Sequence, residues 1–347
     1  YLLEKIKDRR ERGSILSELG TIQFLLAETP KAIEYYEEGL AISRDIGDRR
    51  GEGTALGNLG NAYSSLGEMR KAIEYYEQAL AISREIGDRY GEGNHLGNLG
   101  LAYSHLGETR KAVEYHEQAL TISREIGDRH GEGDDLDNLG LAYSDLGETR
   151  KAIEYHEQAL AISREIGDRL GEGTALGNLG LAYSDLGETR EAIEYYEQAL
   201  TISREIGDRR GEGNHLGNLG LAYSDLGETR KAIEYYEQAL TISREIGDRR
   251  GEGADLGNLG LAYSDLGETR KAVEYYEQAL TISREIGDRR GEGNALGNLG
   301  LALDKLGHRE EAIRCTEEAL KIFEQIESPS AEQARRQLAK LQAEAAK

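Results

Sequence analysis

The side chains with most chemical potential in this 347-residue sequence recur every forty positions. Asp145, Asp185, Asp225 and Asp265 form a line of carboxylates, and Leu101, Leu141, Leu181, Leu221, Leu261 and Leu301 occupy the position four residues before that line. Apolar side chains beside carboxylates suit a partner segment that carries Lys or Arg between apolar anchors. The competing reading packs each leucine on the adjacent repeat and leaves each aspartate solvated. Asn58, Asn98, Asn138, Asn178, Asn218, Asn258 and Asn298 run alongside. An amide offers both a donor and an acceptor, either to an extended peptide backbone or to a neighbouring helix, and the cross-link between helices is the preferred reading.

Other combinations point away from catalysis. Gly51-Glu52-Gly53 with Gly57 and Gly60 has the wrong spacing for a phosphate loop and no preceding strand; its recurrence makes it architectural, letting helices approach closely. His116 and His156 replace Tyr76 at a core position, and a metal would need a tighter cluster of ligands. His95, His105, His130 and His215 are placed toward the partner-facing side, where protonation would make binding pH-sensitive. No serine, cysteine or carboxylate pair breaks the repetition as a unique catalytic constellation must, so neither an enzyme nor a cofactor is expected.

Composition narrows the partners. A formal charge of -22 with 31% charged residues repels phosphate backbones and anionic lipid, leaving a protein or peptide partner rather than nucleic acid or membrane. The single Cys315 cannot form an intramolecular disulfide, which fits a reducing, cytoplasmic compartment. No apolar run approaches the roughly 20 residues that cross a bilayer. The sequence opens on Tyr1 in what reads as the tail of a repeat, so a fragment of a longer protein is expected.

The elements that must position these residues follow from the period. Residues 211–250 and 251–290 differ only where Asn214 gives way to Ala254, His215 to Asp255 and Ile233 to Val273. Near-identical repeats open at Gly51, Gly91, Gly131, Gly171, Gly211 and Gly251, with divergent ones opening at Glu11 and Gly291. The expected organisation is therefore the end of a preceding helix at 1–10, a divergent repeat at 11–50, six near-identical repeats at 51–290, a second divergent repeat at 291–328 and a capping helix at 329–347. Within a repeat, Leu56, Leu59, Tyr63 and Leu66 recur at spacings of three and four, as do Ala72, Ile73, Tyr76, Ala79, Leu80 and Ile86, which predicts two amphipathic helices. Gly67 stops the first and Glu68 opens the second; Gly87 and Asp88 supply a C′ residue and an N-cap at the junction with the next repeat. One such hairpin buries too little to stand alone, so neighbours must supply the rest and the ends need polar caps.

The run Asn58-Leu59-Gly60-Asn61-Ala62-Tyr63, followed by Ala72, Tyr76 and Ala79, resembles the tetratricopeptide repeat signature, and the match recurs in seven repeats. The closing proline of the common 34-residue form is absent and six extra residues lengthen the helices, a form similar to that of Pins-type scaffolds and bacterial sensor proteins. The resemblance implies an all-α, right-handed α-solenoid (superhelix) of stacked antiparallel helix pairs. It also implies that the stripe opposite the apolar face, Arg50, Thr54, Gly57, Asn61 and Ser65, lines a concave groove. Internal variation concentrates on that stripe. The candidate partner-binding set is Tyr90, Asn94, Leu101, His105, His130, Asp134, Leu141, Asp145, Leu181, Asp185, Asn214, Leu221, Asp225, Leu261 and Asp265. Groove lysines that clamp a C-terminal carboxylate have no counterpart at Thr54 or Gly57. The expected function is a scaffold binding a peptide or protein segment in the groove; the alternatives are a self-assembling array or the regulatory part of a larger enzyme.

Overall fold

The computed structural model describes residues 8–345, and all of its regular structure is helical. Two compact units divide the chain, residues 1–171 and 172–347. The first contains α1 (Arg9–Leu25), α2 (Thr29–Ile46), α3 (Arg49–Ser65), α4 (Met69–Ile86), α5 (Arg89–His105), α6 (Thr109–Ile126), α7 (Arg129–Asp145) and α8 (Thr149–Ile166). The second takes most of α9 (Arg169–Asp185), then α10 (Thr189–Ile206), α11 (Arg209–Asp225), α12 (Thr229–Glu245), α13 (Arg249–Asp265), α14 (Thr269–Ile286), α15 (Arg289–Lys305), α16 (Arg309–Gln325) and α17 (Ser330–Ala345). Within each unit every helix packs on the one before and the one after it, the arrangement of an α-solenoid. The expected tail at 1–10 falls mostly outside the described residues, and Arg9 and Arg10 already belong to α1, which Asp8 caps.

Short joints space the helices. Asp88 accepts a 3.0 Å hydrogen bond from the Gly91 amide, closing the α5 N-terminus. Gly87 ends α4 in the left-handed conformation at φ 70°, which glycine adopts without a Cβ penalty. Inside the hairpin Gly67, at φ 76°, ends α3 and Glu68 opens α4 from its N-cap position, as expected; its carboxylate pairs with Lys71 at 2.5 Å and makes no capping hydrogen bond. Leu66 is the C-cap of α3 and is 44% exposed, because the apolar stripe ends one turn earlier.

Two contacts hold each hairpin to itself. The Tyr76 ring lies across Gly60, and the Tyr196 ring lies across Gly180 so closely that a Cβ there would sit 2.5 Å from Tyr196 Cε1. Tyr63 and Tyr75 stack with centroids 5.3 Å apart while Lys71 Nζ lies 4.8 Å from the Tyr63 centroid, an aromatic pair topped by a cation. Five more tyrosine pairs repeat the stacking, from Tyr103–Tyr115 to Tyr263–Tyr275.

Hairpins are joined to one another by buried carboxylates. Glu92 accepts from Arg84 Nε at 2.8 Å and from Arg89 at 2.6 Å, and Arg89 reaches on to Glu125 in the following helix pair. Arg244, Glu252, Arg249 and Glu285 repeat the chain in the second unit. Each such glutamate is almost fully buried, so the two guanidinium groups provide what lost hydration would otherwise cost.

Candidate functional site

The odd-numbered helices carry a row of exposed positions in each unit, broken at Gly57 in the first and Gly177 in the second. All fifteen candidate residues lie on it and are exposed: Tyr90, Asn94, Leu101, His105, His130, Asp134, Leu141 and Asp145 in the first unit, and Leu181, Asp185, Asn214, Leu221, Asp225, Leu261 and Asp265 in the second. The leucines range from 41% exposed at Leu101 to 48% at Leu221, so they are not consumed by packing against neighbouring repeats. Position 61 holds asparagine in only one complete repeat, and there Asn61 accepts a 2.8 Å hydrogen bond from the Tyr76 hydroxyl. Asn98 also donates to Asn61 at 3.4 Å, so at this pair of helices the amide does cross-link α5 to α3.

In the first unit a pocket of 360 Å³ brings Tyr90 and Asn94 together with Arg50, Asn58, Asn98 and His95. In the second, a pocket of 470 Å³ places Leu261 with Leu301, Arg250, Arg290, Asn258 and Asn298, and Gln333 and Gln337 of α17 form its far wall. Gln337 donates to the Gly297 carbonyl at 3.3 Å, fixing the capping helix against α15.

Three expectations are corrected. Gly57 belongs to the exposed stripe by angle, yet it is buried, because the His95 ring of the next repeat lies on it; a Cβ at Gly57 would meet His95 Cε1 at 2.7 Å. His95 and His215 are accordingly joint residues, not freely exposed groove residues. Burial lowers the pKa of both, with the nearby Asp88 and Asp208 opposing it weakly. Finally, Ile86 is partly buried against the core as its spacing implies while also lining the first pocket, whereas Ile286 at the same position lines the second pocket and is 40% exposed. Its spacing continued the apolar stripe of the second helix, which hid that exposure at the glycine joint.

The electrostatics of the row are uneven. Solvent reaches Asp134, but the groove wall desolvates its carboxyl and raises the pKa; Asp168, Asp137 and Asp128 add to this and His130 opposes it. Asp185, Asp225 and Asp265 lie near the buried Tyr196, Tyr236 and Tyr276, whose phenols are pushed up first by burial and then by these carboxylates. In the second unit Arg244, Arg249, Arg284 and Arg289 are held in the glutamate chains. Arg250 and Arg290 instead line the pocket, whose one acidic lining residue is Asp288.

The histidines expected in the core are there. His116 and His156 are each 1% exposed, and their rings lie on Gly100 and Gly140 as tyrosine does elsewhere. His156 has a partner, Asp137 at 2.7 Å, where the other repeats have glycine. Among the described residues no group of His, Cys, Asp or Glu has the arrangement of a metal site, and no helix is long and apolar enough to cross a membrane.

Comparison with known proteins agrees with this architecture. The Tetratricopeptide repeat family matches in seven overlapping segments, 11–85, 51–125, 91–165, 134–205, 171–245, 211–285 and 254–325. No curated protein matches the sequence. Among solved structures, the chain is similar to the apo form of the quorum sensor NprR from B. thuringiensis, with 16% identity, TM-score 0.72, and 92% of this chain and 90% of that one covered. It is also similar to a Rap protein complexed with competence and sporulation factor, with 16% identity, TM-score 0.60, and 97% and 99% covered. A third is a STAND signal-transduction ATPase with a tetratricopeptide repeat sensor from Pyrococcus horikoshii, with 18% identity, TM-score 0.68, and 98% of this chain and 60% of that chain covered. At these identities the likenesses establish the fold, while the family match spans nearly the whole sequence: the chain belongs to the tetratricopeptide repeat family.

Proposed function

We propose that this protein is a non-catalytic, cytoplasmic scaffold or sensor domain that binds a peptide or protein segment along the exposed row of its odd-numbered helices. The observation that carries the reading is the leucine row. Six leucines, Leu101 to Leu301, stay more than two-fifths exposed on a face where each hairpin already has its core. Leaving such apolar area in water is unfavourable by about 25 cal/mol per Å², which a partner's apolar side chains would recover. The adjacent Asp145, Asp185, Asp225 and Asp265 favour a partner with Lys or Arg between those anchors. The NprR quorum sensor and the Rap protein complexed with competence and sporulation factor share this fold and support a regulatory binding role.

The test is a pull-down and titration with Leu181→Arg and Leu221→Arg. Both side chains are exposed, so the fold should persist while partner capture is lost; retention of every partner would reject the reading. Light scattering over a concentration series distinguishes partner binding from self-assembly, since a solution that stays monomeric excludes the latter.

A further inference from the structure

Each later odd-numbered helix is covered by the hairpin before it, as α3 is by α1 and α2. The positions of α3 that take this cover hold Ala55, Leu59 and Ala62, all fully buried. In α1 the same three places hold Ile15, Leu19 and Ile22, with Leu26 at the C-cap, and among the described residues no hairpin precedes them. The polar cap expected at this end is therefore not found. Ile22 is 50% exposed and Leu26 64%, and Leu25 beside them, at 79%, is the most exposed large apolar side chain among the described residues. Isoleucine stands at positions 15 and 22, where α3 has alanine, on a face that water reaches; solubility favours the reverse.

The opposite end is finished differently. There α17 packs on α16 and buries Ala334 and Leu341, and the side it turns to water carries Glu332, Arg335, Arg336 and Lys340. Gln337 ties the same helix to the Gly297 carbonyl of α15. A copy of the chain therefore offers no apolar trailing face to the open end of another, and head-to-tail growth is closed off.

What remains is the pairing of the open end with itself. Ile15, Leu19, Ile22 and Leu26 follow one another at steps of four, three and four. That spacing keeps them on one stripe and reads the same from either end. Laid antiparallel about a two-fold axis, two such helices set Ile15 against Leu26 and Leu19 against Ile22 of the other copy, and reciprocally. The same register sets the exposed Glu18 carboxylate against the Gln23 amide of the other copy, and not against its own counterpart. Residues 1–7 do not supply the cover at the far end of the stripe. Fully extended they span about 25 Å, whereas Leu26 lies about 27 Å along the helix axis from Asp8.

We propose that a second copy of this chain covers the exposed stripe of α1: two chains pair antiparallel through Ile15, Leu19, Ile22 and Leu26, and the capped α17 ends limit the assembly to two. None of the candidate groove residues lies on α1, so this pairing and the groove reading stand or fall separately.

Sedimentation velocity of the full chain over a concentration series tests the pairing. Twice the chain mass with nothing larger is expected. Ile22→Glu with Leu26→Glu should return the single chain with an unchanged helical circular dichroism spectrum, both side chains being exposed. Register is read by cysteine pairing in a Cys315→Ala background. An equal mixture of Ile15→Cys and Leu26→Cys chains should form a disulfide-linked dimer on mild oxidation, while either alone should not, because like positions lie about 16 Å apart along the axis and a disulfide tolerates roughly 7 Å. A single chain mass at every concentration, species larger than two, a dimer indifferent to Ile22→Glu and Leu26→Glu, or linkage of Leu26→Cys chains to one another overturns the proposal.

Discussion

Ser243 Oγ donates a 2.8 Å hydrogen bond to Asp255 Oδ2 inside the buried joint of α12 and α13. Ser123 does the same for Asp135 at the joint of α6 and α7. Burial pushes both carboxyls up to about 7; the serine bonds oppose this, and the surrounding carboxylates (Asp134, Asp128 and Glu132 around Asp135, Asp248 and Glu252 around Asp255) reinforce it.

A pH dependence of stability follows. Between the unfolded value of 3.8 and about 7 the folded state binds more protons than the unfolded state, so each site stabilises the fold in acid and loses that contribution as pH rises through about 7. Asp135→Asn with Asp255→Asn should raise stability at pH 8 by roughly 1–3 kcal/mol per site more than at pH 5, where only the first part of the loss has set in. Urea unfolding at the two pH values measures this, and an equal shift at both would contradict it.

His116 acts in the opposite direction. Its ring is buried and Nδ1 has no partner, and burial lowers its pKa to about 4. Its folded value lies below the unfolded 6.5, so stability is lost as pH falls from about 6.5 toward 4. Tyrosine fits this position, as Tyr196 does over Gly180 where His116 lies over Gly100. His116→Tyr should therefore remove part of the acid sensitivity, by about 1–3 kcal/mol at pH 4.5. The same change at His156 should help less, because it also removes the 2.7 Å hydrogen bond between His156 and Asp137. Thermal unfolding at pH 4.5 and 7 compares them.

Glycine to alanine should change sign with position. At Gly220 the new Cβ would lie 2.5 Å from Tyr236 Cε1, whereas at Gly257 it meets nothing within 4 Å. Gly220→Ala should cost about 1–3 kcal/mol through forced repacking. Gly257→Ala should instead stabilise by about 0.5–1 kcal/mol, since a helical glycine carries excess unfolded-state entropy. Denaturant midpoints for the two variants decide the matter, and two changes of the same sign would contradict this account.

Glu252→Gln keeps the shape of the joint but leaves Arg244 and Arg249 without their shared charge. The guanidinium groups are about half exposed and can return to water, so the cost should be only about 1–2 kcal/mol. The loss should shrink as salt is added. An undiminished loss at 1 M salt would show that the glutamate acts by packing.

Much of this was legible in the residues. Helix pairs and the Gly-Asp joints follow from spacing alone, because a 3.6-residue period fixes which face a residue occupies; whether Leu101 to Leu301 on that face pack on the adjacent repeat or stay exposed did not follow from it. Position 55 was not legible. A helical wheel places His95 and Asp135 at the same angle, but it does not show what each meets: the His95 ring lies on Gly57 and Asp135 turns to Ser123, although the adjacent helices carry a glycine and a serine at both joints. The glutamate chains escaped notice for the same reason: Arg84, Glu92 and Glu125 are far apart in sequence and meet only when helices stack. The exposure of Ile286 was hidden too, because periodicity carries no information about where a helix leaves its core.

Repeats this alike could assemble out of order, since almost any hairpin offers the same mating surface as its neighbours. The buried side chain at position 55 narrows that choice without removing it: His95 needs a glycine such as Gly57 beneath it and would meet a carboxylate at Asp137, but glycine and serine recur at those places in nearly every repeat. A protein built from copies thus labels its hairpins by type, the same label returning every third one, in a few buried side chains that its repetitive exterior does not reveal.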